Sequence, residues 1–196
     1  MPASAPLFGA DIPEGFLHTD GFVSREEETA LLAQIQRIEF STFEMRGVVA
    51  RRRVAFFGMS YDQGDAPSQP IPEFLFALRA KLAAWAGVEP GAFAMSLINE
   101  YRPGAPIGWH RDAPQYGIVA GLSLLSSCRM RLRPYLAPSK ASEQAIRRKT
   151  THEITLLPRS AYVMTGKSRS DYEHSIPAVE ELRYSITFRT LRAAAA

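Results

Sequence analysis

The sequence predicts an α+β chain: two amphipathic helices near the N-terminus, then many short strands closing as an antiparallel double-sheet jelly roll. Three observations carry this. Apolar residues recur at helical spacing in two early segments, residues 24–38 and 72–87. From Phe93 onward apolar and polar residues alternate with the two-residue period of half-buried strands. Turn residues such as Pro103-Gly104 then break the chain into short runs.

Residues 1–15 read as a loose arm. Ser24 is an N-cap candidate with Glu27 three residues on, the spacing of a capping box. Leu31, Leu32, Ile35 and Ile38 give the helix an apolar stripe. Residues 40–50 and 51–62 read as two short strands with a basic joint at Arg51-Arg-Arg53. Three arginines in a turn are ordinarily a solvated feature. Here they precede Phe57, Met59 and Tyr61, and a basic and aromatic mixture suits phosphates and bases. A Pro-rich loop at 64–72 leads to the second helix. Pro72 suits its start, Gly87 its stop, and Phe74, Leu75, Leu78, Leu82 and Trp85 its buried face.

In the second half, Met95, Leu97, Asn99 and Tyr101 share one face of a strand. Residues 117–125 form an apolar strand. Arg129, Arg131 and Arg133 then alternate with Met130 and Leu132, giving one basic face: either a solvent face that charge protects from aggregation or a phosphate track. Residues 137–151 read as an exposed loop, and 153–157, 161–165 and 183–191 as further strands. No repeat or domain boundary interrupts the chain. The whole of 1–196 is expected to be one domain, with helices and a lid in 1–92 and the jelly-roll core in 93–192.

Composition narrows the class. A 46% hydrophobic content over 196 residues supports a folded core rather than disorder. Cys128 is the only cysteine, so no intrachain disulfide is possible. The N-terminus lacks the basic start and apolar run of a signal peptide, and no stretch approaches a membrane span. A cytoplasmic protein is the expectation. The net charge of +3 permits a polyanionic partner without requiring one.

The chemistry lies in two stretches. One is Asn99-Glu-Tyr101 through Trp109-His110-Arg-Asp112, with a His-x-Asp pair. The other is His174-Ser-Ile-Pro followed by Arg183-Tyr-Ser185-Ile-Thr187-Phe-Arg189. On a strand, residues i and i+2 point the same way, so His110 and Asp112 can ligate one ion, joined by a later histidine on a neighbouring strand. Two imidazoles and a carboxylate fill one face of an octahedral Fe(II), leaving the other face open. Arg183, Ser185, Thr187 and Arg189 share one strand face. Two inward arginines on an apolar strand require an anion, and a dicarboxylate would pair with them bidentately.

These pieces resemble the AlkB-type 2-oxoglutarate- and Fe(II)-dependent dioxygenases. The match runs through Asn99-x-Tyr101, His110-x-Asp112, His174 and Arg183-Tyr-x-x-Thr-Phe-Arg189, in the family's order, over roughly residues 95–190. The resemblance implies a double-stranded β-helix (jelly roll) with N-terminal helices packed on one sheet and a nucleotide-recognition lid. It implies His110, Asp112 and His174 as iron ligands, and Asn99, Tyr101, Arg183, Ser185 and Arg189 as 2-oxoglutarate contacts. It puts Arg51, Arg53, Phe57, Met59 and Tyr61 in the substrate lid. Fe(II), 2-oxoglutarate and O2 are the implied cofactors, and a monomer is the expected state. The expected reaction is oxidative demethylation of alkylated bases in DNA or RNA, releasing formaldehyde, succinate and CO2. The chain departs from the best-known repair pattern at Pro114, where an acidic residue reads the base. A hydroxylase or demethylase acting on a protein or small molecule is therefore the alternative, and a non-catalytic β-barrel binding module the third.

Overall fold

Antiparallel pairing of strands distant in sequence builds two sheets. The computed structural model describes residues 12–45, 48–59, 69–135 and 150–192. The larger sheet has the order β1-β9-β6-β11-β4-β3-β2, with β1 Phe16–Thr19, β2 Ser41–Met45, β3 Val48–Gly58, β4 Phe93–Tyr101, β6 Tyr116–Leu124, β9 Ala161–Met164 and β11 Arg183–Leu191. The smaller sheet has the order β5-β10-β7-β8, with β5 Ile107–His110, β7 Cys128–Pro134, β8 His152–Leu156 and β10 Tyr172–Ile176. Met130, Leu132, Ile154, Leu156 and Ile176 of the small sheet pack in one cluster with Phe16, Tyr101, Val119, Tyr162 and Met164 of the large one, so the two sheets face each other. This is the jelly roll that the alternation predicts.

The helices cover the outer face of the large sheet. Helix α1, Arg25–Ile35, begins as its cap predicts: Glu27 N–H donates to Ser24 Oγ, and Ser24 N–H donates to the Glu27 carboxylate. Helix α2, Phe76–Ala86, follows a turn of 3-10 helix at Glu73–Leu75. It ends at Gly87, whose φ of 71° is the left-handed value that glycine adopts without strain. Leu31 and Ile35 of α1 and Leu78 and Leu82 of α2 are buried with Ala55, Phe57, Ile98, Ile186 and Phe188 of the sheet. At roughly 1.5–3 kcal/mol for each large buried side chain, this layer is a main source of stability.

The sequence reading needs one correction here. Arg51–Arg53 do not form a joint between two strands. They lie inside β3, which begins at Val48 opposite Met45 of β2. Strand β3 pairs directly with β4, Arg53 opposite Glu100 and Val54 opposite Asn99. The segment expected as a lid is therefore a two-strand extension of the large sheet. Tyr61 and the loop at 137–149 lie outside the described residues.

Candidate active site

The site grows from the register between β4 and β11. Arg183 stands opposite Tyr101, Ser185 opposite Asn99, Thr187 opposite Leu97 and Arg189 opposite Met95. The strand period sends all eight to the inner face, while Tyr184, Ile186 and Phe188 go to the helix side. Asn99 Nδ2 donates to Ser185 Oγ at 3.3 Å. The Arg183 guanidinium is 1% exposed, lies 5.0 Å from the Tyr101 ring centroid and donates Nε–H to Ser123 Oγ at 3.1 Å. Its Nη1 has no partner among the described residues. A buried donor of a charged group without an acceptor is costly, and here it points to an anion.

The small sheet supplies the imidazoles. His110 ends β5 and His174 lies on β10, directly opposite each other, with ring centroids 4.3 Å apart. His110 Nδ1 lies 2.9 Å from the Gly108 carbonyl, which can only accept. Nδ1 therefore carries the proton, and Nε2 keeps its lone pair for a metal. Asp112 follows β5. Its Oδ1 accepts from Arg189 Nε at 3.1 Å and Nη2 at 2.9 Å, and its Oδ2 lies 3.8 Å from His174 Nε2. Among the described residues no three His, Cys, Asp or Glu side chains are drawn up as a finished metal cluster. Asp112 divides its two oxygens, one to Arg189 and one toward His174.

Electrostatics prepares these donors. Burial pushes the His174 imidazole down to about 3, with His110 adding to the effect, so it is neutral. Burial likewise lowers His110. Burial alone would raise the Asp112 carboxyl, but the charge and hydrogen bonds of Arg189, together with the adjoining His174 and His110, outweigh it and hold the group well below the usual carboxylate range. Two neutral imidazoles and one carboxylate are the protonation states a divalent ion requires. The donor set and the unpartnered Arg183 Nη1 thus fit an iron and a dicarboxylate. His110, Asp112 and His174 could hold the one, and Arg183 with Asn99, Tyr101 and Ser185 the other.

These groups line a cavity of about 400 Å³ between the sheets. Of the expected lid residues, Arg51, Arg53, Phe57 and Met59 do not line this cavity. Arg53 pairs with Glu100 on the helix side, and Phe57 is core at 6% exposure. Arg51 donates to the Gly104 carbonyl at 3.3 Å, and Met59 is exposed. Arg52 and Phe56, the alternate residues of the strand, line the cavity instead. Arg52 donates Nε–H to Asn99 Oδ1 at 3.1 Å.

Three further residues carry no mark in the sequence. Tyr162 lines the cavity opposite Gly121; a Cβ at Gly121 would meet its ring at 2.5 Å, so the glycine leaves the space that the ring fills. Tyr116 also lines the cavity, with the Arg189 guanidinium 5.6 Å from its ring centroid. Arg169, in the short helix α3, Gly166–Ser170, donates Nη2 to the carbonyls of Asp112, Ala113 and Tyr116 at 3.2, 2.6 and 3.0 Å. It thereby staples down the loop that presents Asp112. His18 and His152 stand outside the cavity lining.

A family model described as the 2OG-Fe(II) oxygenase superfamily matches residues 15–189. The chain belongs to this superfamily. A sequence relative of the oxygenase is the "Alkylated DNA repair protein ALKBH8 homolog" of Arabidopsis thaliana, 25% identical over 198 residues, covering 90% of this chain. The chain spans 54% of that relative's length. In fold it is similar to OsALKBH1, with a TM-score of 0.65, 17% identity, and coverage of 92% of this chain and 100% of the other. It is also similar to a Pseudomonas putida prolyl-4-hydroxylase, with a TM-score of 0.58, 17% identity, and coverage of 92% and 94%. The recognition drawn from the motifs thus stands: AlkB-type proteins are among the relatives of this oxygenase in sequence and in fold. Fe(II), 2-oxoglutarate and O2 are the reactants that the superfamily implies. No helix among the described residues is long and apolar enough to cross a membrane.

Proposed function

We propose that this oxygenase is a 2-oxoglutarate-dependent demethylase of alkylated bases in DNA or RNA. The observation that carries the reading is the cavity that joins the His110–Asp112–His174 donors to the unpartnered Nη1 of Arg183 and opens beside Arg52 and Phe56. An aromatic ring and a guanidinium at the mouth suit a flipped base and its phosphates. The relative whose name specifies alkylated DNA repair supports the same class.

His110, Asp112 and His174 would hold Fe(II), which would supply the oxidation of a C–H bond by O2, coupled to conversion of 2-oxoglutarate into succinate and CO2. Arg183 would receive the far carboxylate of 2-oxoglutarate, with Tyr101 and Ser185 beside it. Arg189 holds Asp112 ionised and aimed, and Arg169 fixes the backbone that carries it. Hydroxylation of an N-methyl carbon leaves a hemiaminal, which releases formaldehyde and restores the N–H.

The test is formaldehyde and succinate release from single-stranded oligonucleotides carrying N-methylated bases, with Fe(II), 2-oxoglutarate and ascorbate. A His174→Ala variant serves as control. Formaldehyde that depends on His174 is the expected result. Succinate without formaldehyde on every such oligonucleotide would remove the nucleic-acid assignment, leave the oxygenase, and turn the search to protein or small-molecule substrates.

A further inference from the structure

The cavity wall carries a second orphaned donor besides Arg183. Tyr162 lies on β9 in register with Gly121 of β6, and Gly121 in turn stands opposite Thr187 of β11. The Tyr162 ring reaches the cavity across Gly121, where a Cβ would meet the hydroxyl itself at 2.7 Å. A glycine at this position lets the phenol lie over β6 on the way to β11. The register puts it at the level of Thr187, between Ser185 and Arg189. That stretch of the wall separates Arg183 from Arg189 and its carboxylate partner Asp112.

Packing explains the ring and leaves the hydroxyl unexplained. The ring stacks on Phe16, with centroids 6.0 Å apart and planes 3° apart, in the apolar cluster between the sheets. A phenylalanine would make the same contacts. Tyr162 is 8% exposed, yet among the described residues its hydroxyl has no hydrogen-bond partner. The neighbouring hydroxyl is fully used: Thr187 Oγ1 donates to the Leu97 carbonyl at 3.2 Å and accepts from Arg189 Nη1 at 3.0 Å. A buried tyrosine hydroxyl ordinarily finds a partner, because leaving it unmet is costly. Burial, with Asp112 and Tyr101 adding to it, pushes the phenol well above its ordinary value, so it keeps its proton and faces the cavity as a donor. Arg189 and Arg183 act on it in the opposite sense, so it lies within electrostatic reach of both guanidiniums.

We infer that Tyr162 is a cosubstrate-binding residue: its hydroxyl donates to a carboxylate oxygen of the 2-oxo dicarboxylate that Arg183 anchors, and Gly121 is the position that lets it do so. This rests on the cosubstrate reading of the cavity and is independent of which methylated substrate enters. A dicarboxylate brings acceptors only, and the phenol and Arg183 Nη1 are two donors on one wall that the fold itself leaves unmet. An O–H donating to a carboxylate is a charge-assisted bond, stronger than one between neutral groups.

The experiment is calorimetric titration of 2-oxoglutarate into the Mn(II)-loaded protein under nitrogen. Tyr162→Phe keeps the ring and its stack and removes the hydroxyl. It should weaken 2-oxoglutarate about tenfold, with Mn(II) affinity and the urea midpoint unchanged. Gly121→Ala, whose methyl displaces the ring, should weaken it at least as much; should that variant fail to fold, Tyr162→Phe carries the test alone. Arg183→Gln is the reference. Affinity within twofold of wild type in Tyr162→Phe, with Arg183→Gln impaired, would overturn the inference and leave the cosubstrate reading standing. A matching loss of Mn(II) affinity in Tyr162→Phe would also overturn it, since the hydroxyl would then serve the metal. So would a lowered urea midpoint, which would mean that the hydroxyl has a partner within the fold. Binding of 2-oxoglutarate that neither Tyr162→Phe nor Arg183→Gln disturbs would overturn the cosubstrate reading as well.

Discussion

Strands β7 and β11 each carry arginines on a single face, and the two sets behave in opposite ways. On β7, Arg129 donates to Glu153 at 3.3 Å, Arg131 to Ser175 Oγ at 3.2 Å, and Arg133 to Glu173 at 2.6 Å. Arg133 also lies 3.9 Å from the centroid of the Trp109 ring. These side chains look outward, and the Arg129 side chain is 62% exposed. On β11, Arg183 and Arg189 look inward, at 1% and 8% exposure. The outward arginines are satisfied by their own sheet, as a charged solvent face should be, so the phosphate-track reading of β7 has lost its support. The inward pair is not self-sufficient: Arg189 needs the metal-site carboxylate, and Arg183 keeps a donor unpartnered. The same residue type on one face of a strand is structural on one sheet and ligand-seeking on the other, and burial decides which.

Removing one arginine from each strand should separate the two behaviours most sharply. Arg183→Gln should weaken 2-oxoglutarate about a hundredfold, roughly 3 kcal/mol for two charge-assisted hydrogen bonds. Arg131→Gln should leave it within twofold. Calorimetric titration of 2-oxoglutarate into the Mn(II)-loaded protein measures both. Similar losses in the two variants would abolish the distinction.

A second pair tests stability instead of binding. Arg189→Met leaves Asp112 buried beside two neutral imidazoles without its cation, and should cost about 3 kcal/mol in urea denaturation. Arg133→Gln breaks a partly exposed pair with Glu173 and should cost about 1 kcal/mol. A divalent cation should restore part of the first loss, because it replaces the missing positive charge beside Asp112, and none of the second. Failure of metal to restore Arg189→Met would mean that Asp112 does not face the ion.

How much of this the sequence shows depends on whether a residue's neighbours follow from its own strand. The ligand-bearing face of β11 follows from period two alone, since Tyr184, Ile186 and Phe188 mark the opposite face as core. The caps at Ser24 and Gly87 are local chemistry and read directly. The phase of β3 does not read so easily. Arg51-Arg52-Arg53 is basic throughout, and Phe56-Phe57 is aromatic throughout, so neither run says which residue points inward. Pairing with β4 decides it, by setting Arg53 against Glu100 and sending Arg52 to Asn99. Arg169 and Tyr162 are invisible for a related reason. Their roles come from contacts with the loop after β5 and with Gly121, which no local pattern announces.

The smallest expected effect concerns acid, and it should come from the inner face alone. In the folded chain His174 stays neutral down to about 3, because burial disfavours its cation. In the unfolded chain it takes a proton near 6.5. Below that value the unfolded state binds protons that the folded state refuses, so stability is full above pH 6.5 and falls as the pH drops toward 3. Asp112 is lowered too, held down by Arg189 and the adjoining imidazoles together against its burial, so its contribution is present above the ordinary carboxylate range and is lost only as the pH falls through and below that range. The window between pH 5 and 6.5 therefore belongs to imidazoles. His174 should contribute about 1 kcal/mol of lost stability by pH 5.5. His110 adds a loss of the same sign, and half-buried His18 a smaller one. Urea denaturation of metal-free protein at pH 7.5, 6.5 and 5.5 measures the slope. His174→Gln should flatten it by roughly the share of one imidazole, while Arg131→Gln on the outer face leaves it unchanged. An unaltered slope in His174→Gln would show that this ring is protonated in the fold, and a protonated ring could not serve as a metal donor.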